Sequence, residues 1–222
     1  MNTFAMKLVA TCARPVRATG LLGAAILLSG CAGLVDKPTR PTLYDLGPAT
    51  ELAAAAAAAP QPALVLADVE ASGTWDGSAI LYRLGYADAH QLRAYGQARW
   101  SAPPPQLLRQ RLRDRLGQGR VVLNLGESAA LAREGGAQPR VLRIELEEFS
   151  HVFETPAQSH GAVRLRATLL QNTAAGERLL GQRSISIQRP APTPDAPGGV
   201  RALSLATDAA AAEIAGWLQQ VR

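Results

Sequence analysis

The chain has 222 residues, 47% of them hydrophobic, and a formal net charge of +5 from 23 basic and 18 acidic side chains. Three of the basic residues, Lys7, Arg14 and Arg17, fall in the first thirty positions, where no acidic residue occurs. The remainder is close to neutral, which argues against a nucleic-acid partner, because such binding needs a clustered basic surface. The only cysteines are Cys12 and Cys31, and the three histidines are spread at positions 90, 151 and 160, so neither a disulfide framework nor a metal site is expected.

In chain order, the basic stretch Met1 to Arg17 is followed by an almost wholly apolar run, Leu21 to Leu28, which is a signal-peptide layout. The run is too short to cross a bilayer, which takes about 20 apolar residues. A plain cleaved signal and a buried helix of a cytosolic domain are the other readings of the pattern. The box Leu28-Ser29-Gly30-Cys31 resembles the lipobox of bacterial lipoproteins. That resemblance implies residues 1–30 as a lipoprotein signal peptide, Cys31 as the lipidated N-terminus, residues 31–41 as a tether and 42–222 as the domain. Two or more acyl chains would make a stable anchor. With Cys12 removed and Cys31 acylated, the mature protein of roughly 190 residues would have no free thiol, and its stability must come from one core of ordinary domain size.

Thr42 to Leu46 alternates and ends at Gly47-Pro48, which predicts a short first strand. Seven consecutive alanines, Ala53 to Ala59, predict a linker or frayed turn. Ala63 to Val69 is a nearly continuous apolar run and predicts a strand at the middle of a sheet, covered on both faces. Ala79 to Leu84 and Gln91 to Trp100 read as a pair of strands in which Tyr82, Tyr95 and Trp100 pack a hairpin on the core or stack on a ligand.

Ser101, as a cap, and Pro103, Pro104 and Pro105 predict the start of a helix that runs to about Leu116. Leu108, Leu112 and Leu116 form its apolar stripe; Arg109, Arg111, Arg113 and Arg115 are expected on a solvated outer face or at an anionic site. Arg120 to Leu125 is the strand after it, completing a strand–helix–strand unit over residues 91–125 in a parallel or mixed sheet. Val141 to Glu147, Val163 to Leu169 and Gly181 to Gln188 alternate as a half-buried antiparallel meander, with Glu145 and Glu147 opposite Arg164 and Arg166. A proline-rich loop over Pro190 to Gly199 precedes a last helix, about Val200 to Val221, whose buried stripe is Leu203, Ala206, Ala210, Ile214, Trp217, Leu218 and Val221. The fold class expected is α/β, with α+β as its variant: one domain, a mixed sheet, and a C-terminal helix packed on it.

No Gly-x-Ser-x-Gly, Ser-x-x-Lys, Gly-x-x-x-x-Gly-Lys, His-Glu-x-x-His or Cys-x-x-Cys pattern occurs. Glu145, Glu147 and Glu148 are the nearest approach to an acid cluster, and a charged strand face accounts for them. The sequence therefore predicts no enzyme, no catalytic residue, no cofactor and no metal, and suggests a binding or assembly module.

The order of features resembles the ABC-type transport auxiliary lipoproteins, which include the paraquat-inducible protein C-like lipoproteins of MCE-type lipid transport systems. The resemblance rests on the lipobox, Leu43-Tyr-Asp-Leu-Gly-Pro48, Ile80-Leu81-Tyr82-Arg83, Trp100-Ser-Ala-Pro-Pro-Pro105 running into Leu107 to Leu112, and the closing alanine-rich helix with its tryptophan. It implies a periplasmic component without chemistry of its own, partnered by an MCE-domain substrate-binding protein and an ABC permease and ATPase, with a homo-oligomeric ring among the arrangements. It also implies Cys31 as anchor and Tyr82, Arg83, Trp100 and Pro103 as hallmark positions of unassigned role. Ala32, where inner-membrane retention commonly uses Asp, favours the outer membrane. A structural or assembly lipoprotein without a transporter, and a lipid carrier with an apolar cavity, are the other functions compatible with the sequence.

Overall fold

The structure, a computed structural model, describes residues 40–48, 61–126 and 138–221. Cys31, most of the tether, the alanine run and most of the loop expected between Arg133 and Pro139 lie outside them. The strands are β1 (Thr42–Tyr44), β2 (Leu64–Ala71), β3 (Ala79–Leu84), β4 (Ala89–Trp100), β5 (Val122–Asn124), β6 (Arg140–Phe153), β7 (Ser159–Thr173) and β8 (Gly176–Pro190). Three helices accompany them: the single turn α1 (Gly85–Asp88), then α2 (Pro104–Gly117) and α3 (Ala196–Gln220). Arg40–Arg222 forms one compact unit.

All eight strands belong to one mixed sheet whose hub is β6. One edge of β6 pairs antiparallel with β7 along its whole length; the other pairs parallel with β2 at its N-terminal half and with β3 at its C-terminal half. β2 continues to β5, β3 to β4 and then β1, and β7 to β8. The strand expected at the middle of the sheet is therefore displaced: β2 sits between β6 and β5. Its apolar run still has the predicted cause. Leu64 and Leu66 enter the main core, while Val65 and Ala67 join a small cluster with Val141 and Leu170 on the opposite face.

The strand–helix–strand unit is present as β4, α2 and β5, but its strands run in opposite directions and are not neighbours. Helix α2 packs on β2 and on α3, and α3 packs on β7 and β8, so both helices cover one face of the sheet. The main core between them holds Trp100, Leu108, Leu112, Leu142, Ile144, Phe149, Leu165, Leu203 and Ile214.

Local chemistry corrects three sequence expectations. β1 ends at Tyr44, because Asp45 turns the chain by accepting a hydrogen bond from the Gly47 amide, and Gly47 has φ +67°. Ser101 does not cap α2: the Ser101 amide donates to the Tyr44 carbonyl, and Pro103 holds the N-cap position, with its carbonyl accepting from Gln106 and Leu107. The loop expected over Pro190 to Gly199 is shorter at both ends. β8 runs to Pro190, and α3 begins at Ala196 because the Asp195 carboxylate accepts from the Gly198 amide at 2.8 Å, with Pro197 in the first turn.

Candidate functional site

Tyr82 and Arg83 are consecutive on β3 and so point to opposite faces of the sheet. On the helix-covered face the Tyr82 ring lies 4.6 Å from Tyr95 and 5.9 Å from Phe153, centroid to centroid. The Tyr95 hydroxyl shares a 2.7 Å hydrogen bond with His151 Nδ1, and the His151 ring is 4.5 Å from Phe153. His151 is completely buried, and its Nε2 makes no hydrogen bond among the described residues. Burial, reinforced by nearby His160 and opposed by Asp195, pushes its pKa down to about 4, and the same loss of solvation raises Tyr95. The pair is thus an uncharged imidazole against a protonated phenol, a structural lock under the start of α3.

Arg83 faces the other way, to the open side of the sheet. Its Nε and Nη2 each reach Glu148 at 3.4 Å, and Glu148 also accepts from the Ser150 hydroxyl. Glu147 sits at a register shift between β6 and β7 and is met by Arg164 at 3.2 Å and by Arg166, which also reaches Glu145 at 3.5 Å. The three glutamates are all ion-paired, forming a charged strand face.

Trp100 is buried at the end of β4, with its ring 5.5 Å from Phe149. Pro103 starts α2 and lines an open cleft of about 790 Å³ with Asp68, Asp76, Arg109 and Arg113. The four hallmark positions are therefore not gathered into one pocket. Tyr82 and Trp100 serve the core face, Arg83 the open face, and Pro103 a helix start.

The arginines of α2 depart most from expectation. Arg109 reaches the carbonyls of Leu66 and Ala67 at 3.4 Å each, Asp68 at 3.0 Å and Asn124 at 2.9 Å, bracing the irregular turn of β2 where its register with β6 shifts. Arg111 is 5% exposed and pairs with Asp208 of α3 at 3.0 Å; its Nη2 donates to the carbonyls of Leu46 and Gly47 at 2.6 and 2.7 Å. The signal for this was its spacing, since Arg111 falls beside Leu108 and Leu112 on the buried stripe.

Two edges and one groove stand out as surfaces. β8 spans fifteen residues, most of them exposed, and among the described residues it pairs with β7 alone. β1 is the edge beyond β4, and beside it a groove of about 590 Å³ runs between Leu43 to Pro48 and the outer side of α3. No group of three metal-ligating side chains is gathered among the described residues, and none of their helices is long and apolar enough to cross a membrane.

No curated protein matches the chain significantly. Among solved structures it is similar to a Xanthomonas campestris protein assigned to the DUF330 family, at 19% identity and a TM-score of 0.60, covering 82% of this chain and 94% of that one. It is also similar to the crystal structure of an uncharacterized protein, at 18% identity and a TM-score of 0.53, covering 81% and 99%. At these identities the likeness is one of fold. The model of a family described as the ABC-type transport auxiliary lipoprotein component matches residues 44–215, from the first strand through β6, the meander and α3. With that span matched, the chain belongs to the ABC-type transport auxiliary lipoprotein family.

Proposed function

We propose that this protein is a lipid-anchored, periplasm-facing component that serves an ABC/MCE-type system moving lipids across the envelope, acting by protein–protein binding and without catalysis. The observation that carries this reading is β8, a fifteen-residue strand with one edge unpaired among the described residues. Such an edge presents a row of backbone donors and acceptors, and strand addition to it gives main-chain affinity with alternate side chains for specificity. Ile185 turns into the core while Ser184 and Ser186 remain exposed, so a strand added there meets a regular polar alternation. The occupant is a strand of the MCE component or of a second copy in a ring.

Cys31 with its two or more acyl chains, palmitate among them, is the anchor, and Ala32 directs it to the outer membrane. Anchoring raises the effective concentration for a weak edge contact. The carrier reading would need an enclosed apolar cavity, whereas the cleft of about 790 Å³ is lined largely by charged and amide side chains and the apolar groove beside β1 is open.

The test is site-specific photo-crosslinking in cells from Ser184 and Ser186. Recovery of an MCE-domain protein, or of a second copy together with one, supports the reading, as do neighbouring genes for a permease, an ATPase and an MCE protein. Recovery of only outer-membrane assembly machinery or cell wall would replace it with the assembly function.

A further inference from the structure

The groove between β1 and α3 is largely apolar. Leu43 is 66% exposed and Leu205 is 48% exposed, and both line it together with Tyr44, Pro48 and Val200. Three charged residues also line it: Asp208 is paired with Arg111 at 3.0 Å, Asp45 accepts from the Gly47 amide, and Arg201 donates to the Thr193 hydroxyl. Large aliphatic side chains side by side at an open groove mark a contact surface rather than ordinary scatter.

The distance along the chain from the anchor to β1 decides what covers it. β1 begins at Thr42, and ten residues, 32–41, separate it from Cys31. A stretch of that length spans at most about 35 Å. A compact unit of the size of Arg40–Arg222 has a radius of gyration of about 16 Å, so it is about as wide as its tether can reach at most. The β1 end of the domain is thereby held toward the bilayer, and the groove begins at that end.

We propose that this groove is a bilayer-docking surface: Leu43 and Leu205 enter the interfacial layer of the membrane to which the chain is tethered. The proposal rests on the anchor reading given above and adds to it an orientation, with the β1 edge against the lipid. The far end of the meander is turned away. Leu179 is equally exposed, at 61%, but pairs with Leu170 beside Val141, at the opposite end of β6 from the β3–β4–β1 side.

The mature chain offers a direct test, because Cys12 leaves with the signal and Cys31 is acylated, so one introduced cysteine is the only free thiol. Full-length protein carrying Leu43→Cys, Leu205→Cys or Leu179→Cys is labelled with an environment-sensitive fluorophore. It is then reconstituted through its anchor into phosphatidylethanolamine–phosphatidylglycerol vesicles with or without bromine-labelled acyl chains. All three side chains are exposed, so folding is not at risk. The expected result is a blue shift and bromolipid quenching at positions 43 and 205, and neither at 179. Labels at 43 and 205 as wet and as unquenched as that at 179 would overturn the proposal. So would a blue shift that grows with protein density but is not quenched, which would show a second copy in the groove. Intact mass of the same sample separates the two readings. An acylated chain with wet labels sinks the docking alone, whereas an unacylated chain sinks the anchor and the docking with it.

Discussion

Arg111 on α2 and Asp208 on α3 form an ion pair at 3.0 Å, and the same guanidinium holds the carbonyls of Leu46 and Gly47 just after β1. One side chain thus ties both helices to the Leu-Tyr-Asp-Leu-Gly-Pro segment that lines the apolar groove.

Removing one partner of such a pair strands the other. Arg111→Ala is expected to destabilise the protein by about 3 kcal/mol, since breaking a buried pair costs ~3–5 kcal/mol and Asp208 retains some solvent. Urea unfolding measures it. Arg111→Met combined with Asp208→Leu should recover much of the loss, and a double variant no better than the single would show that the two carbonyls matter more than the ion pair.

Gly161 on β7 lies directly under α3, where an added Cβ would meet the Leu203 amide nitrogen at 2.6 Å and the Ala202 carbonyl carbon at 2.7 Å. Backbone cannot move aside as a side chain does, so Gly161→Ala is expected to cost about 1–3 kcal/mol or more. Gly96 on β4 has open space at the same position, and Gly96→Ala should leave the thermal midpoint unchanged or slightly raised.

His151 gives a pH dependence of defined sign. Its pKa falls from an ordinary 6.5 to about 4 on folding, so between those values the unfolded chain binds the extra proton and stability is lost as pH drops. The loss should approach about 3 kcal/mol by pH 4 and level off below it. Denaturant midpoints across pH 4–7 for the wild type and for His151→Asn, whose amide reaches the Nδ1 position, isolate this contribution. Equal slopes in the two proteins would assign the effect to other groups.

The charge row on the open face should matter little. Arg166 is well exposed and contacts Glu145 and Glu147, and pairs of that kind contribute ~0.2–1 kcal/mol. Arg166→Gln is expected to lower stability by less than about 1 kcal/mol, with the difference vanishing at high salt, as chemical unfolding at two ionic strengths would reveal.

Alternation and punctuation in the sequence were enough to locate the strands of the meander, the buried stripe of α3 and the proline-led start of α2, because each depends on residues close together in the chain. The pairing of Glu145 with Arg166 was legible for the same reason, since a hairpin leaves few registers to choose from. By itself, then, the sequence determined most of the elements and the family they resemble. Which strand becomes the hub was a matter for the tertiary structure, because parallel partners are separated by long connections whose lengths do not specify neighbours, and β6 rather than β2 took that place. The same holds for Arg111 and His151, polar side chains whose burial depends on Asp208, Leu46 and Tyr95 arriving from distant segments. A charged or ionisable side chain reads as solvated until the fold supplies its partner, and that supply is a property of packing alone.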